Sequence, residues 1–211
     1  MKAPKYTLTN LMLNYIVKYE LAMNDLKYNP LPDKYKIALD ERFSADDIQK
    51  MGELVGVPIG YNKALNIQRG QEMSSEKKKY QIFLNFRSAK DFVKSYTNTN
   101  SLKPSIELAV HINRILMRNI VDDWDIGKIR GFSEKPNEIY DTWYKNRDFY
   151  PNLDMSSHFN ELFDWLQNGT DSNHKLIKIG ILLYEFLDKA PFTVGNQITA
   201  ILVAEILSKK Y

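Results

Sequence analysis

The stretch FLDKAPFTVGNQITAILVAEIL, residues 186–207, sets a Pro-Phe turn and a Gly-Asn pair between two strongly apolar segments. Pro191 has no backbone N–H and a fixed φ, so a helix ends before it; Gly195 supplies the conformational freedom to start the next one. A tight loop that feeds a helix N-terminus suits a phosphate, because backbone N–H groups and the helix dipole converge there. Yet from Ala190 to Ile201 there is no acid, no base and no cation. The loop has the shape for a charged ligand and lacks the side chains to hold one.

Outward from the loop the pattern is helical. Leu176–Leu187 and Ile198–Leu207 are apolar at almost every position. A helix apolar on all sides must be buried on all sides, so these two are expected at the centre of the molecule, joined by residues 190–196. Upstream, Met12, Tyr15, Ile16, Tyr19, Met23 and Leu26 recur at helical spacing, with Thr9 as the cap. Ser44 with Asp47 reads as a capping-box-like start of a short helix that stops at Gly56-Val57-Pro58. Further helices are expected over 61–69, over 76–96 with Tyr80, Phe83, Leu84, Ala89, Phe92 and Val93 inward, and from Ser105 on Ile106, Ala109, Val110, Asn113, Leu116 and Met117. Phe159, Leu162, Phe163 and Leu166 form one more apolar stripe. Residues 121–155 have no helical period; within them 138–144 is either a strand of a hairpin or an extended loop. The expected fold is all-α and a single domain over 1–211, with N-terminal helices over 1–100 and a core over 101–211.

Composition bounds the function. At 211 residues the chain supports one sizeable core, and 44% hydrophobic with 26% charged residues is ordinary for a globular protein. No segment reaches the roughly 18 apolar residues of a membrane span, and MKAPKYTLTN has no signal-peptide core. Without cysteine there is no disulfide, thiolate nucleophile or thiolate-bound metal, which makes the cytoplasm the expected compartment. A net charge of +3 is too small for a nucleic-acid face, and EKKKY (76–80) reads as a solvated helix start. The expected partner is a protein, with neither membrane nor nucleic acid, and self-association stays open.

At this point the residues support a comparison. Ala190-Pro191-Phe192-Thr193-Val194-Gly195-Asn196-Gln197-Ile198-Thr199-Ala200-Ile201 resembles, in register, the Fic/DOC signature His-Pro-Phe-x-(Asp/Glu)-Gly-Asn-Gly-Arg-x-x-Arg. The flanks resemble the family too: NHKLIKIGILLYEFL (173–187) leading into the motif, GKIR (127–130) at the start of the flap region, FYPN and FNELFDWL (149–166), and SIELAVHINRILM (105–117). The resemblance implies an all-α Fic-like domain and an AMP transfer from ATP to a protein hydroxyl. In such a site the motif His is the general base and the acidic residue holds Mg²⁺. The Gly-Asn-Gly backbone cradles phosphates and the arginines neutralise them.

Carried over position by position, that chemistry is missing. Ala190 stands at the base and cannot accept a proton, a loss of about 10²–10⁴ in rate. Val194 stands at the Mg²⁺ ligand, Gln197 at the second Gly, and Ile198 and Ile201 at the two arginines. A His-to-Ala change alone leaves the other four departures unexplained, so the pattern reads as natural degeneration. MGELVGVPI (51–59) resembles the family's inhibitory segment, with Met51 at its Ser/Thr and Val55 at its Glu. If both the Glu and its arginine partner are gone, an ion pair has turned apolar at both ends.

What remains of a site is Phe192, Thr193, Gly195 and Asn196, as a nucleotide- or anion-binding loop. The plainer reading is that Asn196 caps the last helix while Gly195 makes the turn. Ile139, Tyr140 and Trp143, with Tyr144, either form a flap that takes an extended target peptide or cover the core. Arg130 either bonds loop carbonyls or is the only cation left near the pocket, and the structural role is the one expected. No metal site is expected, and ATP with Mg²⁺ only if the variant site is active, in which case Asp188, His174, Lys189 or Arg130 would have to supply a base and a cation. The expectation is a binding or regulatory module that has lost AMP transfer; the alternative is an active nucleotidyltransferase. Family members usually have one more helix after this motif, so the chain, ending at Tyr211, is either a fragment or a self-associating protein.

Overall fold

The last helix, α8 (Asn196–Lys210), is the axis of the molecule. Ile198, Leu202, Val203, Ile206 and Leu207 are all fully buried, and burying each side chain contributes about 1.5–3 kcal/mol. The computed structural model describes residues 6–71, 80–98, 103–137, 153–168 and 173–210. They form α1 (Asn10–Tyr28), α2 (Asp33–Leu54), α3 (Tyr61–Gln68), α4 (Gln81–Thr97), α5 (Ile106–Met117), α6 (Met155–Asn168), α7 (Lys175–Lys189) and α8, with no β-sheet among the described residues. No helix there is long and apolar enough to cross a membrane.

Around α8 lie α4, α5 and α7, while α2 and α3 pair with each other and α6 lies against α5 and α7. The starts follow the sequence: Thr9 caps α1 by accepting from the Met12 N–H, and Ser105 caps α5 by accepting from the Leu108 N–H. In α6 the stripe Phe159, Leu162, Phe163 and Leu166 is buried, with Phe159 and Phe163 both edge-on to Phe186 of α7.

Three expectations need correction. The Ser44–Asp47 pair opens no helix: α2 begins at Asp33, behind Pro32, and runs unbroken through Ser44 to Leu54. A proline at the cap and an acid in the first turn suffice to start it. On α4 the inner face is Ile82, Phe83, Phe86, Ala89 and Val93, while Leu84 is only half-buried. Finally, α7 is not enclosed on all sides, because Gly180 and Tyr184 are exposed in an open groove beside α1. The expected strand over 138–144 and most of EKKKY lie outside the described residues.

Candidate functional site

The motif loop turns twice through the left-handed region. Ala190 ends α7 with φ 48, ψ 72 and its N–H on the Phe186 carbonyl at 3.0 Å. Gly195 opens α8 with φ 76, and a Cβ there would lie 2.5 Å from the Met117 Cε. Glycine is required there by its backbone and by the room available, in agreement with the sequence.

The loop's polar groups are taken up by the protein itself. Asn196 is fully buried and its side chain closes back on Phe192, accepting from its N–H at 2.8 Å and donating to its carbonyl at 2.9 Å. Asn196 thereby ties the loop shut. Thr193 donates its hydroxyl to the Asp125 carbonyl at 3.1 Å, and its backbone bonds Lys128 and Asn137. An antiparallel bridge between Ile129 and Phe192, with Arg130 N–H on the Pro191 carbonyl at 2.8 Å, seams the loop to residues 125–137.

Arg130 is buried and structural, as expected. Its guanidinium donates to three carbonyls, those of Ala190 (2.5 Å), Lys189 (2.6 Å) and Glu134. The planar fork of five N–H donors suits convergent carbonyls better than an ammonium would. Nearby, Lys128 bonds Glu134 and holds that carboxyl below the usual carboxylate range, helped by the Gly131 N–H.

A residue that the sequence marked only as interior organises the rest. Asn113 of α5 is fully buried. Its Nδ2 donates to the Val194 carbonyl at 2.8 Å and to the Thr199 hydroxyl at 3.1 Å, and its Oδ1 accepts the Gly127 N–H at 3.0 Å. One amide thus joins α5, the 125–137 segment, the motif loop and α8. The signal was available: an asparagine in the inward register of an otherwise apolar helix needs several hydrogen bonds.

The positions of the family's charged groups are packed. Ala190, Val194 and Ile198 are buried, and Ile201 opens onto a pocket of about 360 Å³ shared with Met51, Leu54, Phe86 and Leu202. Met51 and Val55 of the inhibitory-like segment are themselves buried. Around this apolar contact, Lys90 of α4 bridges Asp47 of α2 (2.9 Å) and Glu205 of α8 (2.7 Å). Burial acts to lower the Lys90 pKa; its bonds to Glu205 and Asp47 outweigh that and raise it.

Lys189 pairs with Asp188 at 2.7 Å, and His174 caps α7 and lies 3.0 Å from Glu20. His158 lies 2.8 Å from Glu185, and His111 is exposed beside the Phe92 ring. Among the described residues no group of three or more His, Asp or Glu is arranged to hold a metal. At the family's acidic position Val194 offers no oxygen beyond a carbonyl already bonded to Asn113, and the flank of Gly195 is filled by Met117. Ile139, Tyr140 and Trp143 lie outside the described residues.

Comparison with known proteins agrees with this register. No curated protein and no solved structure matches the chain. The family model described as Fic/DOC family matches residues 103–208, which hold α5 through the motif and most of α8. That is half of the 211 residues, and the chain belongs to the Fic/DOC family.

Proposed function

We propose that this protein is a Fic/DOC member that no longer transfers AMP and acts in the cytoplasm as a binding or regulatory module for another protein. The observation that carries the reading is the motif loop itself, in which every residue from Ala190 to Ala200 is buried and the base and acid positions are Ala190 and Val194. Phosphoryl transfer rests on positioning and on neutralising charge, and neither arginine position holds a cation. Of the polar side chains in this stretch, Thr193, Asn196 and Thr199 bond the protein's own backbone. The preserved feature is the turn between α7 and α8, which the packing of the two helices requires.

Two measurements test this. Radiolabelled ATP, given to the purified full chain and to cell lysate, should leave no covalent label that depends on the protein; label on either would overturn the proposal in favour of a variant active site. A thermal-shift titration with ATP, GTP and ADP, with and without Mg²⁺, should be flat. A ligand at a hundred times its Kd stabilises by about 2.7 kcal/mol, so a surviving nucleotide site would be plain.

A further inference from the structure

The exposed apolar surface of this protein is concentrated at one end of the chain. Of the nineteen large hydrophobic side chains that are exposed among the described residues, fifteen lie between Tyr6 and Phe43. At roughly half exposure each they present on the order of 1,500 Å², against about 800 Å² per partner in a standard interface. No residue of α1 is buried. A helix apolar on more than one side needs cover on more than one side.

One side of α1 is accounted for. Met12, Tyr15 and Ile16 face Leu176, Ile181 and Tyr184 of α7 across a groove of about 540 Å³. Glu20 lies 3.0 Å from His174 and 3.7 Å from Lys175, and the Lys175 ammonium sits over the Tyr19 ring. At 100° per residue the opposite side carries Leu13, Val17, Leu21 and Tyr28, interspersed with Asn14 and Asn24. Val17, Leu21 and Tyr28 are 56%, 60% and 76% exposed.

The charges flanking this outer stripe decide what fits it. Lys18 and Asp25 lie seven residues apart on one flank, and Glu20 and Lys27 seven apart on the other. When two such helices pair antiparallel, each flank meets its own copy. Lys18 then faces Asp25 twice about a twofold axis, while Glu20 stays with His174 and Lys175 of its own chain. Paired in parallel, neither Lys18 nor Asp25 would meet an opposite charge on the other helix. The stripe is complementary to itself in one orientation only.

We propose that the outer face of α1 is a homodimer interface, in which α1 of two copies of this chain cross antiparallel near Ala22. Leu21 packs beside Asn24 of the other copy and Val17 beside Tyr28. The asparagine in the seam costs some stability and favours this register over a slipped one.

Sedimentation velocity on the full chain over a concentration series tests the proposal. The wild type should be dimeric, and Val17→Glu with Leu21→Glu should be monomeric with an unchanged circular-dichroism spectrum, since both side chains are exposed. Lys18→Asp alone and Asp25→Lys alone each turn two attractions into repulsions and should weaken the dimer about tenfold at low salt. The double variant Lys18→Asp/Asp25→Lys should restore it. A wild type that stays monomeric at every concentration overturns the proposal, whatever else it binds. So does a dimer that none of these changes affects, or one that the double variant fails to restore.

Discussion

The Asn113 side chain donates to the Val194 carbonyl at 2.8 Å, setting a neutral amide against the residue that occupies the family's acidic position. The same amide accepts the Gly127 N–H and reaches Thr199, so three segments far apart in sequence meet on one buried group.

Asn113→Ala should therefore cost about 2–4 kcal/mol, because it strands a buried carbonyl and a buried N–H together. Asn113→Asp should do no better, since it removes both donated bonds and buries a carboxylate among carbonyl oxygens. Urea denaturation measures both, and a loss below about 1 kcal/mol for the alanine variant would mean the hub is not structural.

Arg130 makes the complementary prediction. Its three carbonyl bonds hold the end of α7 to the 130–134 turn. Arg130→Ala should destabilise by about 3–5 kcal/mol. Arg130→Lys should recover only a minor part, because one ammonium cannot meet three carbonyls in a plane. An Arg130→Lys variant melting like the wild type would contradict this geometry.

Restoring one catalytic group should restore nothing. Ala190→His returns the family's base to a loop that still has Val194, Ile198 and Ile201 where an acid and two arginines belong. Labelled-ATP transfer by this variant should stay at background. Stability should fall by about 1–3 kcal/mol, since the position is fully buried.

The Lys90 network sets a pH dependence. Burial acts to raise the Glu205 carboxyl, but the Lys90 bond and charge, then Lys209, outweigh it and hold the group below its ordinary 4.5. A lowered carboxyl gives stability that is present above that value and lost as pH falls through the folded one. Lys90 is raised from 10.5, so its share persists below that pH and is lost above it. The melting temperature should be level across neutral pH and drop below about pH 4.5. Lys90→Met should cost about 1–2 kcal/mol at pH 7 and flatten the acid limb. An acid limb unchanged in this variant would assign the acid sensitivity to other carboxylates.

How much of this was readable from the residues depended on distance along the chain. Caps at Thr9 and Ser105, the loop turn at Gly195 and the inward stripe of α6 are local, and all were legible. The start of α2 is not legible because Ser44 offers a cap that the chain does not use; an unbroken helix from Pro32 satisfies the same backbone groups. Four of the bonds of Asn113 and Arg130 reach 59 to 86 residues away, and no local pattern fixes those partners. The sequence could ask what a buried asparagine bonds, and only the fold supplies the answer. Similarly, Gly180 is silent in an apolar run that reads as wholly buried, whereas the structure leaves it open with nothing within 4 Å of an added Cβ.

The unbroken course of α2 has a mechanical consequence. Its 22 residues make a rod of about 33 Å. Tyr35, Ile37 and Phe43 are exposed on its first half, while Met51 and Leu54 at its far end line the pocket with Ile198 and Ile201. A lever of that length, anchored by Asp47 to Lys90, would turn a small tilt imposed at the outer end into strain at the old arginine positions. Through α2 the motif helix is joined to exposed apolar side chains at the other end of the rod.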